Sequence, residues 1–178
     1  MLVLAALTFI AFVNLAIKRT AAVKAGIPRF IFSSTAAVYG AWATNPLPLT
    51  EDAPLRPNPG FGPAVQGAEV ERLLYEWQQT HPDVVVTALR AAPVLGAGAN
   101  HLWVRLLTSP TRPRVRGESA PVQVSHADDV AAALALMVEQ DHPGVFNIAA
   151  DGWLNCDDAA ALVPRALLPA LPTDLLSR

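Results

Sequence analysis

The sequence is poor in the groups on which most protein chemistry depends. Of its 178 residues 16% are charged, one is cysteine, two are tyrosine, and no lysine follows Lys24. The single thiol, Cys156, excludes an intrachain disulfide framework and a multi-thiolate metal site, and reads as a buried or half-buried side chain. His81, His101, His126 and His142 are scattered, with none at the i, i+4 spacing of a helical zinc pair, so no metal site is expected. Lys and Arg number 13 against 15 Asp and Glu, for a net charge of -2. With no dense basic block, nucleic acid is not expected as a partner. What is abundant is apolar: 52% of the residues are hydrophobic, which excludes disorder as the main state. The length suits one domain.

Residues 1–17 (MLVLAALTFIAFVNLAI) are apolar except for Thr8 and Asn14, and Lys18 and Arg19 follow at once. The run falls short of the ~20 residues that cross a bilayer, and it has neither a basic n-region nor an A-x-A-like cleavage site. It reads as a buried strand and the start of a core helix. A membrane anchor is the minor alternative, since both readings share this pattern at this length.

Further along, residues 20–25 end a helix, with Gly26 as its cap and Pro28 just beyond. Residues 29–34 (RFIFSS) read as a buried strand of a parallel sheet covered on both faces. Five prolines between Gly40 and Gly62 predict an irregular surface excursion. Residues 68–79 place Val70, Leu73, Leu74 and Trp77 at i, i+3, i+4 and i+7, which predicts an amphipathic helix. Strands are expected at 84–89 (VVVTAL) and 145–149 (VFNIA). Helices are expected at 130–139, capped by Asp128 and Asp129, and from Asp157 through 162. Strand, helix, strand is the rhythm of an α/β fold with a parallel sheet.

Such sheets bind ligands at the carboxyl ends of their strands. Neither Gly96-Ala97-Gly98 nor Pro59-Gly60-Phe61-Gly62 fits G-x-G-x-x-G, so both read as turns, and no serine lies in a G-x-S-x-G elbow. The remaining candidate is Ser33-Ser34-Thr35-Ala36-Ala37-Val38-Tyr39-Gly40, which puts hydroxyls at a strand end. There they either meet a ligand or satisfy backbone groups.

Together with Pro48-Leu-Thr-Glu-Asp-Ala-Pro-Leu-Arg-Pro57, that stretch resembles the NAD-dependent epimerase/dehydratase family, the extended short-chain dehydrogenase/reductases. Ala68-Glu-Val-Glu-Arg-Leu-Leu74, Leu89-Arg90 to Gly98, Val124-Ser-His-Ala-Asp-Asp-Val130 and Gly144-Val-Phe-Asn-Ile148 continue the resemblance in order. It implies an incomplete Rossmann-like parallel sheet, the C-terminal half of that fold, with helices on its faces and part of a small substrate lobe. The family part covers 21–163, after a hydrophobic leader at 1–20 of uncertain homology and before a Pro-rich tail at 164–178.

The resemblance also implies a cofactor, NAD or NADP, and a sugar-like substrate. The family works with a Ser/Thr hydroxyl, a Tyr and a Lys spaced Y-x-x-x-K, the cation favouring the phenolate of a group whose pKa is ordinarily about 10. Thr35 takes the hydroxyl position, as a catalytic group or as a relic at a strand end. Pro63 and Gly67 take the Tyr and Lys positions and cannot act, so the chain is expected to be catalytically degenerate. Ser33, Ala91 and Pro93 fall at cofactor-lining positions. Arg90 is expected to pair locally. A basic loop over 103–120, with Arg112, Arg114 and Arg116, hints at an anionic group. The Gly-rich first βαβ unit of the family has no counterpart, so the chain is expected to be N-terminally truncated and to bind NAD weakly or not at all by itself. A non-catalytic module, pairing with a second copy or a partner chain through an exposed sheet edge, is the alternative. A cytoplasmic location is expected.

Overall fold

The computed structural model describes Leu15 and residues 19–96 and 121–155. After a helical stretch at 19–24, the elements are β1 (Arg29–Thr35), a 3-10 turn (Ala36–Tyr39), α1 (Gly62–Thr80), β2 (Val85–Ala91), β3 (Val94–Leu95), β4 (Pro121–Val122), β5 (Ser125–His126), α2 (Ala127–Glu139), β6 (Gly144–Ile148) and β7 (Leu154–Asn155). Strands β1, β2 and β6 form a parallel sheet with β2 in the middle. The α/β class and the parallel sheet are therefore as expected. Two small pairs, β3 with β5 in parallel and β4 with β7 in antiparallel, add to it. At two residues per strand, neither leaves a periodic pattern in sequence.

In a strand, alternate side chains point to opposite faces. Phe30, Phe32 and Ser34 share one face of β1, and against it α1 sets Leu73, Leu74 and Trp77, with Val86, Val84, Ala22 and Leu15 completing the cluster. The Phe30 and Trp77 rings meet edge to face at 5.6 Å. Arg29 belongs to the alternate set and reaches the far end of α2, donating to Asp141 Oδ1 at 2.6 Å and to the Val138 carbonyl at 3.1 Å. Leu15 is helical and buried, inside the core.

Element boundaries shift from expectation, most by a residue or two, and three differences have a clear physical reason. Helix α1 begins at Gly62, six residues early, because Pro63 sits in its first turn, where a missing N–H costs nothing and the fixed φ suits a helix. Strand β2 runs to Ala91 because its last residues pair with both neighbours. The cap of α2 is the imidazole of His126, which accepts from Asp128 N at 3.2 Å; Asp128 and Asp129 lie inside the first turn and serve the helix dipole instead. The helix from Asp157, Cys156, the loop at 103–120, His101, Gly98 and the tail at 164–178 lie outside the described residues, as does the run at 1–17 apart from Leu15. Among the described residues no helix is long and apolar enough to cross a membrane.

Between the 3-10 turn and α1 the chain makes the expected irregular excursion, a strap held by its own polar groups. Ala41 N donates to Asn58 Oδ1 (2.7 Å), Asn45 Nδ2 to the Gly40 carbonyl (2.7 Å), Arg56 N to the Val38 carbonyl (3.1 Å) and Trp42 Nε1 to the Arg56 carbonyl (2.6 Å). Gly40, with φ 71° and ψ 158°, is the pivot. A Cβ there would lie 2.1 Å from the Arg56 carbonyl oxygen, and that backbone region is essentially open to glycine alone. Replacing Gly40 by Ala is expected to lower stability by about 2 kcal/mol or more. Urea unfolding should show a lower midpoint at an unchanged slope.

Candidate functional site

At the carboxyl end of the sheet the register sets Ser34, Arg90 and Asn147 side by side across three strands, and Thr35, Ala91 and Ile148 one residue further on. The first row faces α1 and is polar. Arg90 is 5% exposed and Glu71 7% exposed, so two opposite charges sit where unpaired charge is prohibitive. They pair: Arg90 Nε and Nη2 both donate to Glu71 Oε2, at 2.9 and 2.7 Å, and the Ser34 hydroxyl closes on Glu71 Oε1. Arg90 Nη1 donates to the Tyr39 hydroxyl at 2.7 Å and to the Glu51 carbonyl at 3.0 Å, with its guanidinium 4.9 Å over the Tyr39 ring. The Tyr39 hydroxyl donates to Asn147 Oδ1 (2.7 Å), Asn147 Nδ2 donates to the Leu49 carbonyl (3.2 Å), and Asn147 N donates to Glu51 Oε1 (2.7 Å). Burial opposes the charge on Arg90, but its bonds to Glu71 and Tyr39 outweigh that and raise its pKa. One chain of hydrogen bonds thus joins β1, the 3-10 turn, the strap, α1, β2 and β6.

Arg90 therefore does not pair locally; its partner is 19 residues away on α1. Sequence carried a signal for this, since an arginine in the apolar strand Val84-Val-Val-Thr-Ala-Leu-Arg90 has to be buried against a carboxylate. Ser34, Tyr39 and Asn147 have residue types that suit loops and strand ends equally well.

Thr35 ends β1. Its Oγ1 accepts from Ala37 N at 3.2 Å and caps the 3-10 turn, so the hydroxyl has a structural task while its proton stays available to a ligand. Across from it lies Gly67 of α1: a Cβ there would lie 3.2 Å from Val38 Cγ1, 3.9 Å from Ser34 Oγ and 4.0 Å from Thr35 Cγ2. Pro63 stands four residues earlier on the same helix. Ala91 is the register partner of Thr35 and is buried, Ser33 is exposed two residues earlier on the same face, and Pro93 follows half-buried, its carbonyl accepting from Ser125 N at 3.0 Å. Thr35, Gly67 and Ala91 are thus brought together. Ser33 stands apart from the polar row, whose serine is Ser34. Of the two tyrosines, Tyr39 is locked in the network and Tyr75 points away on α1, 66% exposed. Among the described residues no group of His, Cys, Asp and Glu could hold a metal ion.

The parallel order β1-β2-β6 with α1 packed against it makes this a Rossmann-like α/β protein. The model of the NAD dependent epimerase/dehydratase family matches residues 14–149, and the chain belongs to that family. Uncharacterized proteins of Mycobacterium tuberculosis and Mycobacterium bovis are each 30% identical to it over 143 residues, 80% of this chain and 38% of theirs. The chain thus spans well under half the length of these curated relatives. Among solved structures, a UDP-N-acetylglucosamine 4-epimerase from Methanobrevibacter ruminantium is similar at TM-score 0.63 and 24% identity, over 78% of this chain and 46% of that one. A UDP-glucose 4-epimerase from Thermotoga maritima gives 0.67 and 20%, over 90% and 56%. A dTDP-glucose 4,6-dehydratase from Streptomyces venezuelae, solved with NAD bound, gives 0.65 and 23%, over 81% and 45%.

The residues present fit a dinucleotide only in part. Ser33, Thr35, Ala91 and Pro93 lie at or just beyond the carboxyl ends of β1 and β2, but the turn that opens α1, Pro59-Gly60-Phe61-Gly62, does not have the G-x-G-x-x-G spacing that seats a pyrophosphate on a helix N-terminus.

Removing one member of the buried pair leaves the other uncompensated. Glu71→Ala is expected to cost about 3–5 kcal/mol, and Arg90→Met a similar amount. The double variant Glu71→Met/Arg90→Met should lose less than the sum of the two, a coupling that a double-mutant cycle by urea denaturation would measure.

Proposed function

We propose that this chain is an epimerase/dehydratase-family protein that keeps the frame of the site but not its proton-transfer groups, and so does not turn over a substrate by itself. The facing of Gly67 toward Ser34 and Thr35 carries this reading. It supports the register in which Pro63 and Gly67 hold the family's Tyr and Lys positions, since a lysine at 67 would extend from the side of α1 that meets the hydroxyl row. Proline and glycine transfer no proton. The step they would serve, general acid–base catalysis, typically contributes 10²- to 10⁴-fold. In this reading Thr35 is a positioning hydroxyl, Ser33, Ala91 and Pro93 are contacts for the nicotinamide end of NAD or NADP, and the substrate class is a nucleotide sugar, as in the names of the solved neighbours. A cytoplasmic setting goes with it.

The purified chain, incubated with NAD and UDP-glucose, is expected to give no epimer or dehydrated sugar above the level without protein, as followed by chromatography of the sugar products. Turnover that disappears in Thr35→Ala would overturn the proposal.

A second reading, pairing with another protein chain, is favoured by Leu136 and Val138, 40% and 61% exposed on α2, and by the edge position of β1 in the described sheet. Light scattering across a concentration series should then show a mass that rises with concentration, whereas a constant monomer mass counts against it.

A further inference from the structure

Ten to fourteen residues along α1 from Gly67, at about 1.5 Å per residue and so roughly 15–20 Å away, a separate groove opens between that helix and the helical stretch 19–24. Its volume is about 410 Å³, within the usual range for small-molecule sites. Arg19, Thr20, Val23 and Lys24 line one side, sharing a helical face by their i, i+4 relations, and Trp77 and His81, also i and i+4, line the other. The wall is apolar and fixed. Trp77 is buried, held edge to face by Phe30, and the His81 ring lies 5.0 Å from it at a tilt of 33°. His81 is oriented in turn by Nδ1, which is 2.9 Å from Thr80 Oγ1 and 3.1 Å from the Trp77 carbonyl.

The rim is cationic. Arg19 is tied down by a bond from Nη1 to the Leu73 carbonyl at 3.0 Å, an acceptor that leaves its charge uncompensated. Lys24 is exposed beside it, and neither is ion-paired with a carboxylate among the described residues. No acidic residue belongs to the lining. An apolar wall against an indole, with two positive charges on its rim and no negative one in its lining, selects an anion that carries its own apolar body.

We propose that this groove is a binding site for a small amphipathic anion, a phosphate or carboxylate attached to an aromatic or aliphatic group. The site is independent of the reading given to the sheet's carboxyl end. Phenyl phosphate is a suitable probe, with inorganic phosphate and phenol as its two halves, each titrated into the full chain and followed by the Trp77 indole N–H and the backbone amide of Lys24 in ¹H–¹⁵N spectra. Phenyl phosphate is expected to shift both signals saturably, at a midpoint at least fivefold below that of either half. Lys24→Ala should raise the midpoint at least fivefold, and Lys24→Arg should restore it.

The proposal is overturned by the absence of a saturable shift, by phenol or inorganic phosphate matching phenyl phosphate, or by an unchanged midpoint in Lys24→Ala. A role for Lys24 confined to complementing the C-terminal end of its helix would give a less stable Lys24→Ala protein and no ligand-dependent shift at all.

Discussion

Burial of the Arg90–Glu71 pair is the constraint on which the rest of this structure depends. Neither charge can stay in that interior alone, so β2 and α1 have to be brought to a fixed separation and register before either is tolerable. Once they are, the remaining donors and acceptors have defined places: Ser34 from β1 on the free carboxylate oxygen, Tyr39 on the guanidinium, Asn147 from β6 on Tyr39. Apolar packing of Phe30, Leu73, Leu74 and Trp77 holds α1 against the sheet, but it is non-directional. The polar row supplies the direction, and it does so at the strand ends where this class of fold places its ligands.

That arrangement separates two things which usually occur together. In the proposed reading the scaffold of a family site is kept, with a hydroxyl on β1, a helix crossing over it and buried ionic support beneath. The helix, however, meets the hydroxyl with Gly67, and its first turn holds Pro63. Both residues suit α1 as a helix that approaches closely: proline belongs in a first turn, and glycine allows the 3-10 turn with Val38 to pack near the helix backbone. Local structure is therefore served by the same two residues that, in the proposed register, take the place of the proton-transfer groups.

Much of the fold was legible in the sequence. The stripe of Val70, Leu73, Leu74 and Trp77, the apolar runs at 29–34 and 84–89, and the proline-rich excursion each follow from one-dimensional periodicity or punctuation, and each corresponds to an element of the structure. What was not legible depended on long-range pairing. The two-residue strands exist only through their partners, the His126 cap replaces two more obvious aspartates, and Arg90 finds its carboxylate on another element. At the site, the places proposed for Thr35, Pro63 and Gly67 come from the register that the resemblance supplied, whereas Ser34, Tyr39 and Asn147 acquire meaning only from the side-by-side rows of a parallel sheet.

The bond from the Asn147 amide to the Glu51 carboxylate ties an element of irregular backbone to β6. An amide held this way can exchange its hydrogen for deuterium only when the strap lifts, so the two events share one opening free energy. Release of the strap would also withdraw the Glu51 carbonyl from Arg90 and the Leu49 carbonyl from the Asn147 side chain. The loop between residues 40 and 61 is thus kinetically part of the sheet: slow exchange at Asn147 reports on a surface segment, and any force that peels that segment away is felt at the buried guanidinium.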